Sequence, residues 1–188
     1  MFEILQGTLT GMSPEQHESF RESVDRLVAA DNQIDLFEFF LRHHLMVHLD
    51  RRFGKVKPPK VRYRAINPLQ SEICRLIAIL VRVGHEDQQE IQQAWRAAMV
   101  SLDKVDWSEQ TTFLAEPLNA DQLSKDIHKV NESAPVIKKR ILTAMAAAIA
   151  CDKKITIREA EMFRAMAESL DCPVPPVMAC DVGEMGKA

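Results

Sequence analysis

Cys151-Asp152-Lys153-Lys154-Ile155-Thr156-Ile157-Arg158-Glu159 is the stretch on which the reading of this chain turns. It follows an Ala-rich apolar run, turns through an Asp, sets Ile155 inward and opens a helix at Thr156. Thr156 and Glu159 spell a capping box, in which the hydroxyl takes a free amide of the first turn and the carboxylate reaches back to the capping residue. The same design stands near the other end, in Ala30-Asp31-Asn32-Gln33-Ile34-Asp35-Leu36-Phe37-Glu38, with Asp35 and Glu38 as the box. A constant offset of 121 residues joins Asp31 to Asp152 and Glu38 to Glu159. Two helical hairpins, about 14–50 and 135–170, therefore share one plan. The expected arrangement packs them against each other, with the middle helices completing the core.

Outward from these elbows the helical signals continue. Ser13-Pro14-Glu15-Gln16 supplies a cap, a proline at the first helical position and a box-closing Gln. Phe20, Val24, Leu27 and Val28 then recur at helical spacing up to Ala30, where Asn32 suits a left-handed turn. A second helix runs from Asp35 to about Leu49. Arg51 to Arg64 reads as an extended basic loop, because Pro58 and Pro59 forbid a helix through it. Asn67-Pro68 restarts a helix whose buried stripe is Ile73, Leu76, Ile77, Leu80 and Val81, with Gly84 at its end. Further helices are expected at about 86–101, 107–116, 119–132 and 135–150, and a last one from Thr156 to near Leu170. Pro173, Pro175 and Pro176 stop it, and 179–188 reads as a frayed, disordered tail. No strand pattern stands out. The expectation is an all-α bundle of about eight helices, one domain over 1–178.

Composition agrees with a globular helical protein. The 188 residues are 46% apolar, contain only six Gly and one Tyr, and carry a net charge of −3. Such a charge selects neither nucleic acid nor an acidic membrane as partner. Cys74, Cys151, Cys172 and Cys180 form no CxxC pair, which predicts reduced, packed thiols and a cytoplasmic setting. The opening residues lack the pattern of a signal peptide, and the run from Ile141 to Cys151 is far shorter than the roughly 20 residues needed to span a bilayer.

Three features could carry chemistry. The elbow carboxylates Asp31, Asp35 and Glu38, and in the second copy Asp152 and Glu159, are candidate ligands for calcium or another divalent cation. A calcium loop of the EF-hand kind needs about 12 residues with a glycine midway; these turns are shorter, and capping already accounts for the same residues. His44 and His48 share a helix face at the spacing that lets two imidazoles meet one zinc ion. Leu45 stands where a zincin needs its Glu, so the chain has no H-E-x-x-H and predicts no peptidase activity of its own. Arg51, Arg52, Lys55, Lys57, Lys60, Arg62 and Arg64 form a candidate surface for an anionic partner, either lipid headgroups or another protein; nucleic acid is not expected, since few aromatics accompany them.

The two elbows resemble the TerB-like helical fold of tellurite-resistance proteins. Adding Ser13-Pro14-Glu15-Gln16, Phe20-Arg21 and the ending Leu170-Asp171-Cys172-Pro173-Val174-Pro175-Pro176, residues 1–178 look like the C-terminal region of bacterial HtpX/Ste-type membrane zinc metallopeptidases. That resemblance implies a non-catalytic cytoplasmic domain with a regulatory or protein-interaction role, the peptidase domain being its partner in cis. The zinc site and the inner-membrane helices would then lie upstream of Met1. The alternative it implies is a free-standing TerB-like module for metal binding or metal stress, with Asp31, Asp35, Glu38, Asp152 and Glu159 at the acidic turns. Asn32 and Lys153 stand where those turns usually have glycine.

Overall fold

The structure, a computed structural model, describes residues 11–30, 36–54, 57, 59–102, 111–117, 119–174 and 180–181. Its contacts gather into two compact units, Met1–Pro59 and Lys60–Ala188.

The first unit holds helices α1 (Pro14–Ala30) and α2 (Leu36–Arg52). At the start of α1 the Ser13 amide donates to Gln16 Oε1 at 2.8 Å and the Gln16 amide donates to Ser13 Oγ at 3.2 Å, the reciprocal box read from sequence. The two helices are fastened by a polar cluster that the apolar periodicity did not reveal. Arg21 Nη1 lies 3.0 Å from both oxygens of Asp50. His17, fully buried, stacks on Phe53 at 4.5 Å and brings Nε2 within 3.4 Å of Asp50 Oδ1. Helix α2 continues through Arg51 and Arg52, so these two cations belong to a helix and not to the extended loop expected for them. There they face the negative end of the helix dipole, which favours continuing the last turn. The first elbow, residues 31–35, lies outside the described residues.

The second unit contains a 3₁₀ turn (Asn67–Leu69), α3 (Gln70–Gly84), α4 (Gln88–Ser101), a 3₁₀ turn (Thr111–Ala115), α5 (Ala120–Asn131), α6 (Pro135–Ile149), β1 (Lys154–Ile155), α7 (Ile157–Ser169) and β2 (Cys180–Asp181). Helix α3 is the hub: α4, α5, α6, α7 and both 3₁₀ turns pack on it. Its expected stripe is buried, and so are Cys74, Ala78 and Ile79, leaving it apolar nearly all round as a central helix should be. Each fully buried Ile or Leu of that set contributes roughly 1.5–3 kcal/mol. Helix α4 lies along α6 through Ala94, Trp95, Ala98 and Met99, and Asp87 caps it by accepting the amides of Gln89 and Glu90. Asn119 caps α5 and Pro135 opens α6, as expected.

Among the described residues there are thus seven α-helices, and the domain is an all-α bundle. The helix expected at 107–116 is replaced by the 3₁₀ turn at Thr111–Ala115; residues 107–110 lie outside the described set. Two β-branched threonines begin that turn and Pro117 follows it, which leaves too little room for an α-helix. A second correction is a small antiparallel ladder, Lys154 opposite Asp181 and Ile155 opposite Cys180. Two residues are too few to show alternation, so it left no mark in the sequence. Cys180 and Asp181, in the stretch expected to fray, are paired here. Among the described residues no helix is long and apolar enough to cross a membrane.

Candidate functional site

The second elbow is the best-defined feature that sequence proposed as a site. Helix α6 ends at Ile149, and the chain passes Lys153 at φ 65°, a left-handed residue at the position where a glycine was expected. Asp152 is exposed and its Oδ1 accepts the amide of Lys154 at 2.9 Å, which tightens the turn. Thr156 then caps α7: its Oγ1 accepts the Glu159 amide at 3.2 Å, and Glu159 Oε2 accepts both the amide and the hydroxyl of Thr156 at 2.8 Å.

Glu159 does more than close this box. Its side chain is 2% exposed and its Oε1 lies 3.8 Å from Nε2 of His85, which is 4% exposed. His85 is the residue after α3, and its Nδ1 lies 3.2 Å from the carbonyl oxygen of Val81. His85 Nε2 is buried without a hydrogen-bond partner. The last residue of α3, Gly84, makes room for this approach. A Cβ on it would lie 2.6 Å from Glu159 Oε1 and 2.9 Å from Cγ. Gly84 was expected as a helix stop. His85 takes an extended conformation instead of a left-handed cap, so the glycine is there for close packing.

The other candidates distribute as follows. Asp31 and Asp35 lie outside the described residues, and Glu38 is exposed in the first turn of α2. Among the described residues, no three His, Cys, Asp or Glu side chains are grouped to hold a metal ion. In the second elbow one oxygen of each carboxylate, Asp152 Oδ1 and Glu159 Oε2, accepts a backbone amide of the turn, that of Lys154 and of Thr156. Of the basic residues, Arg51 and Arg52 sit in α2, Lys55 lies outside the described set, and Lys57, Lys60, Arg62 and Arg64 are exposed. Residues 62–63 are strapped to the α5–α6 turn. The amides of Arg62 and Tyr63 donate to the Glu132 carbonyl at 2.7 and 3.1 Å, and the Ala134 amide donates to that of Tyr63 at 2.8 Å. Arg62 Nε is 3.2 Å from Glu132 Oε1.

Sequence reading missed two polar constructions in the second unit. A cleft of about 250 Å³ opens between α3, α5 and the second 3₁₀ turn. Its wall holds Arg75, whose Nε and Nη2 donate to the two oxygens of Asp126 at 2.7 and 2.9 Å; Gln122 Nε2 donates to the same carboxylate at 2.9 Å. Phe113 lies under the guanidinium, 5.8 Å from ring centre to carbon. The Asp126 hydrogen bonds hold Arg75 even more firmly protonated than an ordinary arginine. This is a brace between α3 and α5, and its only sequence trace is a polar residue at a buried helical position.

The second construction closes α7. Lys138, 7% exposed, donates from Nζ to Asn131 Oδ1 and to the Leu170 carbonyl, both at 2.8 Å. Asn131 Nδ2 donates to the Ser169 carbonyl at 2.8 Å. Asp171 sits at φ 54° and lets the Cys172 amide return to Ala167 O and its own amide to Glu168 O, each at 3.0 Å. That is a Schellman ending with a left-handed aspartate.

The three thiols Cys74, Cys151 and Cys172 show no sign of activation. Burial pushes Cys74 up to about 12, and burial likewise raises Cys151 and Cys172 above the ordinary thiol range. A nucleophilic cysteine needs the opposite shift. No protein-family model matches the chain, and neither a curated protein nor a solved structure matches it.

Proposed function

We propose that this chain is a non-catalytic, TerB-like helical domain that serves a membrane zinc metallopeptidase of the HtpX/Ste type as a cytoplasmic regulatory or protein-interaction module. One observation carries the reading. Two of the sequence elements behind the resemblance, the second elbow and the Leu170-Asp171-Cys172-Pro173 ending, are the N-cap and the C-cap of one helix, α7. Motifs of that kind specify a scaffold: they fix where α7 starts, where it stops and how it meets α3 and α6. Asp126 and Lys138, two of the buried ionisable groups of the second unit, each tie one helix to another element, and Glu159 caps α7. In this reading exposed Lys60, Arg62 and Arg64 form the face for an anionic partner, and the chemistry belongs to a zinc site on another part of the polypeptide.

The test starts from the genomic DNA around the coding segment. An in-frame extension with an H-E-x-x-H motif and apolar spans of about 20 residues is the expected result. The longest reading frame is then expressed with and without residues 1–188, and zinc-dependent peptide cleavage is compared. A stop codon directly upstream of Met1, or purified 188-residue chain that cleaves peptide and loses that turnover to a chelator, overturns the proposal.

A further inference from the structure

The geometry points to a second, independent property: His44 and His48 of α2 form an exchangeable chelate for a divalent transition metal of the imidazole-preferring class, such as Zn²⁺ or Ni²⁺. The two imidazoles stand one helical turn apart, with ring centres 5.4 Å apart and planes tilted by 31°. That separation suits a shared ion. With a metal–nitrogen bond of about 2.05 Å and a ring nitrogen about 1.1 Å from its ring centre, an ion reached by one nitrogen of each ring subtends about 118° between them, somewhat wider than a tetrahedral angle. His44 is half-buried and His48 exposed, so the first ring is restrained by its neighbours while the site stays open to solvent. His43 points elsewhere: it lies about 100° round the helix from His44 and stacks against Phe39 at 6.1 Å.

Two protein nitrogens leave coordination positions for water or for a donor on another molecule, since no third His, Cys, Asp or Glu among the described residues completes the group. This distinguishes the chelate from a structural zinc site, which is closed by four protein ligands. With only two protein ligands the ion leaves more readily than from a site closed by four. Neutral imidazole is a better ligand for zinc and nickel than for calcium or magnesium, which require oxygen. The site therefore discriminates between these two groups of ions.

The chain is titrated with Zn²⁺, Ni²⁺ and Ca²⁺ salts, following the imidazole ¹⁵N resonances by long-range proton–nitrogen correlation and the heat by calorimetry. Expected are one-to-one binding of Zn²⁺ or Ni²⁺ with shifts at one nitrogen each of His44 and His48, and no imidazole response to Ca²⁺. His44→Gln and His48→Gln, which keep the helix and are checked by circular dichroism, each lower the affinity by about tenfold or more; His43→Gln leaves it unchanged. Wild-type affinity in the His44→Gln/His48→Gln protein, or ring shifts confined to other histidines, overturns the assignment. The ring resonances of the unmodified chain decide the matter even where a variant folds poorly.

Discussion

Gly84 and Glu159 meet so closely that a methyl group on the glycine would lie 2.6 Å from the glutamate's Oε1. This contact joins the end of α3 to the start of α7, and it presses the capping carboxylate towards His85. Gly84→Ala is expected to destabilise the domain by about 1–3 kcal/mol despite the better helix propensity of alanine, because Glu159 must leave its box with Thr156. Denaturant unfolding measures the loss. Glu159→Ala alone removes the carboxylate half of the box, and Gly84→Ala then has nothing left to strike. The double variant should therefore be more stable than the sum of the two single effects by about 1 kcal/mol. Strict additivity would show that the contact carries no energy.

The elbow contains a second point of strain, at Lys153. An L-residue in the left-handed region costs about 1–2 kcal/mol, and glycine removes that cost while adding backbone entropy to the unfolded chain. Lys153 is exposed at φ 65°, so its side chain adds little to the fold. Lys153→Gly is expected to raise stability by about 0.5–1 kcal/mol, read as a melting temperature about 1–4 °C higher. Lys153→Val should lower it, since a β-branched side chain fits that backbone least. A glycine variant that melts below the wild type would contradict this account of the turn.

Much of this scaffold could be read from sequence, and the reason is local. Ser13 with Gln16, Thr156 with Glu159, Asn119 and Pro135 act within one helical turn, so residue type and spacing suffice to place them. The α3 stripe was legible because hydrophobic period reports burial directly. What stayed hidden depends on residues far apart in sequence. Nothing near Gly84 announces a glutamate from α7, and nothing near Lys138 announces the carbonyl of Leu170. Arg75 reads as an ordinary helical cation until Asp126 is placed beside it. Charged residues on helices are usually solvated, so the buried ones were the ones the pattern concealed.

Lys138 supplies a sharper test of buried polarity. Its ammonium group holds Asn131 and the carbonyl of Leu170, the residue that caps the C-terminus of α7, where a cation also meets the negative end of the helix dipole. Lys138→Met keeps the aliphatic stem and leaves two buried oxygens short of a donor, at about 1–3 kcal/mol each. The expected loss is about 2–4 kcal/mol in denaturant unfolding, with faster amide exchange in the last turn of α7. A loss under about 1 kcal/mol would mean that water replaces the ammonium group, and that α7 is held chiefly by its apolar face.

Cys74 gives the pH prediction. Its thiol is fully buried in α3, and that burial raises its pKa from an ordinary 9.0 to about 12. Below about pH 9 the thiol is protonated whether the chain is folded or not, so it adds no pH dependence there. Above that value the unfolded chain releases the proton and the folded chain keeps it, so the unfolded state is favoured as pH rises. The contribution is complete below the unfolded value and is lost progressively between about 9 and 12. Cys74→Ala, which cannot ionise, should start out less stable by a small cavity effect yet lose less stability over this interval. The gap between the two proteins narrows as pH increases. Thiol labelling provides the kinetic counterpart. At pH 8, Cys74 should react only as fast as the domain opens, and its rate should climb with denaturant in step with unfolding. Labelling of Cys74 in the native protein at the rate of a free thiol would show that the centre of α3 is open to solvent, which its packing against α4, α5, α6 and α7 does not allow.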